Sequence, residues 1–419
     1  MKIPAFLKRF CLVSSFFLVS ITVVSCKKKK TDSTPPAPDP RENIINLSAN
    51  KQLIRGFGAA TVFRPTAPLA TDDLDKLFGT GQGQIGLSIL RIRVASDTDP
   101  AWRAIELANA QGAEERDVIV IATPWSPPAR MKTNNSLIGG SLKIDSFAAY
   151  ATYLNDFATY MAANNARLYG ISLQNEPDIQ VTYESCDWTA TQLHDFVKNN
   201  GAAITATNVM AAESFNFNHS MTDPILNDDG AAANVDIIGG HIYGGGLADY
   251  PLARSKGKEL WTTEHLDTLT TWTAVMGTAK EIHDCLTVGN FNAYVWWYAK
   301  RFYGPLGEDG TVTKRGYVMS NFARFVRPGY SRVEVTPGAP SASLYLSAYK
   351  GTKAIIVAIN SSDSDSPQKF FFQGGSISSV TPYTTSQSQN LLAGQSLAVA
   401  GNSFTYTLPR QSITTFVEN

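Results

Sequence analysis

Apolar positions recur in two spacings that alternate along the middle of the chain. Short apolar runs predict buried strands at 89–94, 118–122, 170–173, 209–212, 236–241, 259–262 and 291–297. Apolar residues three and four positions apart predict helices at 102–111, 147–163, 191–206 and 275–286. Repeated strand–helix units of this length favour a closed parallel (β/α)8 TIM barrel. An open doubly wound sheet would give a similar pattern, so both architectures stay open at this point.

The pattern changes near residue 330. Short strands are predicted at 343–349, 354–360, 368–372, 404–408 and 413–418, separated by turns rich in Gly, Ser and Asn. Such a series is typical of an antiparallel β-sandwich. We therefore predict a catalytic barrel at 43–329 and an associated β-sandwich side domain at 330–419. Residues 43–55 are expected to add one strand to the side domain, before a turn at 55–58.

The N-terminus has the features of an export signal. A basic start (Lys2–Arg9) precedes the apolar run Phe10–Val24. The sequence Val-Val-Ser-Cys ending at Cys26 resembles a bacterial lipobox, which predicts a signal peptide at 1–25 and lipid attachment at Cys26. Cleavage without a lipid is the alternative. Residues 26–42, four lysines followed by Ser, Thr and Pro, predict a flexible tether. The expected location is the outer membrane, as an exported lipoprotein on its surface or periplasmic face.

Charge and cysteine content exclude several classes of protein. Seven of the 36 basic residues lie in the first 30 positions, which hold no acid, so 29 basic residues face 36 acidic ones in the remainder. A net charge of about −7 gives no electrostatic footprint for nucleic acid. No Cys/His spacing indicates a metal site, and neither metal nor cofactor is predicted. Cys186 and Cys285 remain after export and could form one disulfide. A monomer is predicted.

Two glutamates carry the candidate chemistry. Glu176 lies in Gln-Asn-Glu-Pro directly after the strand at 170–173, and Glu264 lies in Trp-Thr-Thr-Glu-His after the strand at 259–262. A TIM barrel places its reacting groups at these strand ends. Two carboxyl groups flanking one bond are what retaining glycoside hydrolysis requires. Most glutamates are surface or salt-bridged residues, but two matching strand-end contexts favour the catalytic interpretation.

Eight short segments share one family pattern. They are Gly56-Phe57-Gly58, Trp125-Ser126-Pro127-Pro128, Gln174-Asn175-Glu176-Pro177, His241-Ile242-Tyr243-Gly244, Trp261-Thr262-Thr263-Glu264-His265, and the runs Tyr294–Gly304, Thr313–Tyr317 and Arg324–Gly329. From about Gln52 to the C-terminus, the chain resembles glycoside hydrolase family 30, in particular its xylanase and glucuronoxylanase branch. The resemblance implies a barrel with a side β-sandwich built from both ends of the catalytic region. It also implies retaining cleavage of β-1,4-xylan, with Glu176 after strand 4 as acid/base and Glu264 after strand 7 as nucleophile.

In that mechanism Glu264 is ionised and Glu176 begins protonated. We expect the neighbouring charge of Glu264 and a partly dry cleft to raise the pKa of Glu176. Asn175 is a candidate for binding the sugar 2-hydroxyl, with a turn-forming role as the alternative. Tyr243 either donates to Glu264 or is a buried strand-end tyrosine. His241 is interpreted as a packed supporting residue.

Aromatic and basic side chains supply the remaining candidates for substrate binding. Trp125 and Trp297 could stack on xylose rings, with core packing as the competing account. The resemblance implies that Arg301 forms an ion pair with the glucuronate branch of the xylan, flanked by Tyr298 and Tyr303. A guanidinium fork suits a carboxylate, although a surface arginine would have the same sequence signature.

Three departures from the family pattern affect specificity. Leu266 stands where glucuronate-dependent members carry a tyrosine, the loop from Glu264 to Trp272 is shorter than theirs, and Arg130 replaces an aromatic residue. Two glucuronate contacts are therefore missing from the expected set. The leading hypothesis is a retaining endo-β-1,4-xylanase acting on glucuronoxylan. A plain endoxylanase, a β-glucan hydrolase and an inactive glycan-binding surface lipoprotein are the alternatives.

Overall fold

The computed structural model describes residues 41–62, 66–95, 99–339 and 341–419. The predicted signal peptide, Cys26 and nearly all of the predicted tether lie outside these residues. Within the described part of the chain, no helix combines the length and apolarity needed to cross a bilayer.

Eight parallel strands close into a barrel, which confirms the predicted fold class and excludes the open sheet. After β1 (Arg41–Leu53), the barrel strands are β2 (Gly56–Ala60), β3 (Ile89–Arg93), β4 (Ile119–Thr123), β5 (Gly170–Ser172), β6 (Asn208–Ser214), β7 (Ile237–His241), β8 (Glu259–Glu264) and β9 (Ala293–Tyr298). Pairing of β9 with β2 closes the ring. Large apolar side chains such as Met210 and Trp261 fill its interior, as expected for a barrel with a packed core.

Nine helices are present in the described residues. They are α1 (Thr71–Phe78), α2 (Pro100–Glu114), α3 (Phe147–Ala163), α4 (Ala190–Asn200), α5 (Asp223–Leu226), α6 (Asp229–Ala232), α7 (Pro251–Ser255), α8 (Trp272–Thr287) and α9 (Lys314–Ala323). Side-chain caps fix several starts: Thr189 accepts from the Gln192 amide at α4, and Thr313 accepts from the Gly316 amide at α9. The helix predicted at 191–206 ends at Asn200 and continues only as a 3-10 turn, Gly201–Ala203.

The first barrel strand occupies a segment predicted to be a turn. Gly56–Ala60 pairs with β3 and β9, so the prediction of a turn at 55–58 was wrong. A Cβ atom on Gly58 would lie 2.5 Å from the main-chain oxygen of Ile89. Gly58 therefore allows β2 and β3 to approach each other closely. From the sequence alone, a glycine in this role looks the same as a glycine in a turn.

A second sheet forms the side domain. Its strands are β1 with β10 (Ser331–Thr336), β11 (Leu344–Lys350), β12 (Ala354–Asn360), β13 (Ser366–Gln373), β14 (Ser379–Ser386), β15 (Leu392–Ala393), β16 (Leu397–Ala398), β17 (Ser403–Leu408) and β18 (Ser412–Glu418). The order is β15-β14-β18-β12-β11-β10-β1-β13-β17, with β16 on β14. β1 pairs in parallel with β13, so the curled sheet is mixed and not purely antiparallel. Because β1 and β13 are far apart in the chain and no hairpin joins them, the two strands can pair in parallel.

The side sheet packs against the barrel through α8 and α9. β12 is buried along its whole length: Ile355, Val357 and Ile359 join the barrel-side core, while alternate residues join the core inside the curled sheet. At α9, Asn321 accepts a hydrogen bond from Thr415 Oγ1 at 2.7 Å. Both apolar packing and hydrogen bonds therefore connect the side sheet to the barrel.

Cys186 and Cys285 do not form the disulfide that export would permit. Both thiols are buried and unpaired. Cys285 lies in α8, where Thr262 donates to its sulfur at 3.6 Å, whereas Cys186 lies in the loop before α4. They occupy different parts of the barrel wall.

Candidate active site

The two glutamates meet at the carboxyl end of the barrel. Glu264 is the last residue of β8, and Glu176 follows β5 with a left-handed φ of 45°. The Glu176 amide donates to the main-chain oxygen of Glu213 at 2.9 Å, which anchors this unusual backbone. A carboxylate oxygen of Glu176 lies within 4.8 Å of one of Glu264. That separation suits a retaining pair, whose carboxyl groups are about 5–5.5 Å apart, and is too short for an inverting pair.

A cavity of about 440 Å³ opens between them. It is lined by Trp125, Asn175, Glu176, Tyr183, Phe215, Tyr243, Glu264, Leu266 and Trp297. Six of these nine are candidates from the sequence, and Tyr183, Phe215 and Leu266 are additional. His241 is fully buried and contacts Glu176, whereas Tyr298, Arg301 and Tyr303 are not among the residues that line the cavity.

Two donors orient the Glu264 carboxylate. Arg91 Nη1 donates to Oε2 at 2.6 Å, and Tyr243 Oη donates to Oε1 at 2.8 Å. Burial and the charge of Glu264 raise the pKa of Tyr243, so this phenol stays a donor. With both oxygens held, the carboxylate faces the cavity in one orientation, as a nucleophile requires.

Glu176 is held by His241 and Tyr183. His241 Nδ1 lies 2.9 Å from Oε1, and Tyr183 Oη donates to Oε2 at 3.0 Å. Burial acts to raise the pKa of Glu176, but the hydrogen bond and charge of His241 together with the Tyr183 bond outweigh it and lower the pKa. The raised pKa expected for Glu176 is therefore wrong for the free site.

The same contacts act on His241 in the opposite sense. Burial lowers its pKa, but the charge of Glu264 and the bond to Glu176 outweigh this and raise it. His241 Nε2 lies 3.7 Å from Glu264 Oε2, so the imidazole stands between both catalytic carboxylates. The opposite directions of these two pKa shifts favour a proton on the imidazole over one on the Glu176 carboxyl group.

Sequence reasoning missed the charged layer beneath the pair. Arg91 is fully buried on β3; its Nη2 donates to Asn175 Oδ1 at 2.8 Å and lies 3.3 Å from Glu213 Oε1. Burial acts to lower the pKa of Arg91, but Glu213 and Glu264 outweigh it and raise it. The available signal was the Leu-Arg-Ile-Arg sequence of β3, because a cation inside a buried strand needs an anionic partner.

The predicted tryptophan platforms differ in exposure. Trp125 is only 2% exposed, with Arg91 over its ring at 4.8 Å, whereas Trp297 is half-buried. Their ring centroids are 5.8 Å apart. Trp297 thus offers the larger surface to a sugar, and Trp125 backs it.

Arg301 and its neighbours form a separate polar cluster that continues from Trp297. Tyr298 lies 4.8 Å from Trp297 between ring centroids, and the Arg301 guanidinium is 5.6 Å from the Tyr298 ring. Arg301 Nη1 also lies 3.4 Å from Glu308 Oε1. Tyr303 is buried, 6.4 Å from Tyr298.

One group of side chains has the spacing of a possible metal site. It consists of Glu176, His241 and Glu264, whose potential ligand atoms lie within 4.8 Å of one another. A cation there would displace the proton of His241 and approach the Arg91 guanidinium, 2.6 Å from Glu264. Like charges at such distances oppose binding. The prediction of no metal stays a prediction supported by this electrostatic argument.

Comparison with known proteins identifies the family. Residues 89–291 match the TIM-barrel domain of glycosyl hydrolase family 30. Glucuronoxylanase XynC of Bacillus subtilis is 44% identical over 390 residues, 90% of this chain and 91% of that protein. The chain belongs to glycoside hydrolase family 30. The resemblance noted from the motifs is therefore confirmed.

Solved structures of this glycoside hydrolase family agree with the fold. A family 30, subfamily 8 xylanase from Clostridium acetobutylicum is 43% identical, with a TM-score of 0.86 over 90% of this chain and 99% of that one. A family 30 endoxylanase from Clostridium papyrosolvens is also 43% identical, with a TM-score of 0.82 over 90% and 100%. Each comparison covers 90% of this chain, so the similarity includes the side sheet as well as the barrel.

Proposed function

We propose that this family 30 hydrolase is a retaining endo-β-1,4-xylanase that acts by double displacement. The observation that carries the proposal is the approach of the Glu176 and Glu264 carboxylate oxygens to within 4.8 Å. The xylanase structures that resemble the chain at 43% identity supply the substrate class. A glycan-binding protein without turnover would have no use for two carboxyl groups held this close together.

In the first step Glu264 attacks the anomeric carbon, with Arg91 and Tyr243 fixing its orientation. Glu176 delivers a proton to the leaving oxygen, and His241 supplies that proton through its bond to Oε1. Asn175 lies against the same cavity, with its amide oxygen bound by Arg91, so its amide nitrogen is the group directed to the sugar.

In the second step the charges change. Formation of the glycosyl-enzyme ester removes the negative charge of Glu264, which is the largest influence raising the pKa of His241. His241 then holds a proton less strongly, and Glu176 acts as base toward the attacking water. Proton NMR of the first product formed from xylan tests this scheme: a β-anomer supports retention, and an α-anomer contradicts it.

We further propose that Arg301 recognises the glucuronate branch. Its side chain is 40% exposed, and its guanidinium lies 5.6 Å from the ring of Tyr298, which packs against the cavity residue Trp297. A bidentate carboxylate contact suits this group. Arg301→Ala should lower kcat/KM on glucuronoxylan by about tenfold or more and much less on unbranched xylan. Arg254→Ala is a matched control, since Arg254 is 42% exposed and also ion-paired. Equal losses of kcat/KM on both substrates would contradict recognition of glucuronate and indicate a plain endoxylanase.

One observation favours that second candidate. Leu266 lines the cavity where glucuronate-dependent members carry a tyrosine, so an apolar side chain replaces a hydroxyl donor. A β-glucan hydrolase is tested separately with β-1,6-glucan, on which we expect no release of reducing ends.

We also propose that Cys26 carries a lipid that attaches the enzyme to the outer membrane. The lipobox and the following Ser/Thr/Pro-rich segment support it. Cys26→Ala should abolish labelling by radioactive palmitate and move the enzyme out of the membrane fraction. Unchanged fractionation would contradict the anchor.

A further inference from the structure

Arg301 has an anionic partner supplied by its own chain. Its Nη1 atom lies 3.4 Å from Glu308 Oε1, and the two side chains are 40% and 47% exposed. A carboxylate in this position resembles the charged group of the proposed glucuronate branch. It therefore acts on the same cation that would bind the substrate.

Main-chain hydrogen bonds fix the position of Glu308. The Arg301 amide donates to Leu306 O at 2.9 Å, and the Gly307 amide donates to Thr311 O at 2.8 Å. Asp309 accepts from the Thr311 amide and hydroxyl at 2.9 and 2.7 Å. None of these bonds uses the Glu308 side chain. Replacing that side chain therefore leaves these bonds in place.

The two edges of the Arg301 guanidinium are unequal. Nη1 faces Glu308, whereas Nε is shielded from solvent and has no hydrogen-bond partner among the described residues. A carboxylate takes a guanidinium through two parallel N–H bonds. Because Nε is shielded from solvent, an external carboxylate has to approach the Nη atoms, and Glu308 already lies against Nη1.

We propose that Glu308 is a specificity-determining residue that weakens the hold of Arg301 on an anionic branch and so broadens the enzyme toward undecorated xylan. This inference rests on the proposed recognition of glucuronate by Arg301. When Glu308 and a substrate carboxylate both lie near the Nη atoms, they share the guanidinium and repel each other. For charges about 6 Å apart in a water-exposed site, the repulsion changes binding by about threefold.

Two substitutions test this charge effect. Glu308→Gln keeps the shape and removes the charge, and Glu308→Lys reverses it. The readout is the ratio of kcat/KM on glucuronoxylan to kcat/KM on neutral unbranched β-1,4-xylo-oligosaccharide, measured at about 20 mM and about 0.5 M NaCl. Glu115→Gln is the control, because Glu115 is an exposed carboxylate, 76% accessible, directly after α2 and outside the cavity.

At low salt we expect the ratio to rise about threefold for Glu308→Gln and further for Glu308→Lys, with no change for Glu115→Gln. Screening at high salt should reduce these differences. A ratio that stays constant or falls in both Glu308 variants would overturn the inference. If Arg301→Ala lowers the ratio while the Glu308 variants do not raise it, only the role of Glu308 fails. If Arg301→Ala leaves the ratio unchanged, the recognition of glucuronate fails, and the role of Glu308 with it.

Discussion

Replacing His241 by glutamine tests where the catalytic proton is held. The imidazole Nδ1 lies 2.9 Å from Glu176 Oε1, and the pKa of His241 is raised while that of Glu176 is lowered. A glutamine side chain can still donate one hydrogen bond to Glu176 but cannot carry the proton. In His241→Gln, only the Glu176 carboxyl group remains to hold it.

The expected shift follows from the two groups. With His241 present, the pair loses its proton as pH rises through a value above 6.5, the ordinary pKa of histidine. Without it, the proton leaves a carboxyl group with an ordinary pKa of 4.5, raised by burial. These ordinary values differ by about two units, or about 2.7 kcal/mol. We therefore expect the basic limb of kcat/KM to move to lower pH in His241→Gln.

The assay is xylan hydrolysis from about pH 4 to pH 9 for wild type, His241→Gln and the control His194→Gln. His194 lies on α4 and contacts Asp195 and Asp228, away from the cavity. The melting temperature of each variant reports whether the fold is retained. A basic limb that stays in place or moves to higher pH in His241→Gln would refute the shared proton.

Three further predictions concern the pair, the charged layer and the barrel wall. Glu264→Gln should abolish turnover with an unchanged circular dichroism spectrum; wild-type activity would remove Glu264 as nucleophile. Arg91→Met leaves Glu213 and Glu264 without their buried cation, so the free energy of unfolding in urea should fall by about 3–5 kcal/mol; a loss below about 1 kcal/mol would contradict the pairing. Gly58→Ala brings a Cβ to 2.5 Å from Ile89 O and should lower the melting temperature by several degrees; an unchanged value would show that β2 and β3 can separate without cost.

The barrel itself could be predicted because each strand and helix has a local signature. α3 begins and ends at the predicted residues, since its apolar positions keep helical spacing throughout. β14 was missed because its sequence, Ser-Val-Thr-Pro-Tyr-Thr-Thr-Ser, is mostly polar and contains a proline. Its place is decided by pairing with β18 along the whole strand, a contact that only the folded chain contains.

The candidate site shows the same division. The sequence by itself determined that Glu264 ends one barrel strand and that Glu176 follows the end of another, because strand period and chain order set which end each residue occupies. Only the tertiary structure decided that the buried pair of Arg91 and Glu213 lies next to them, and that the His241 imidazole lies 2.9 Å from Glu176. Coulomb interaction depends on distance and burial, and residues 65 to 173 positions apart acquire those only when the barrel closes.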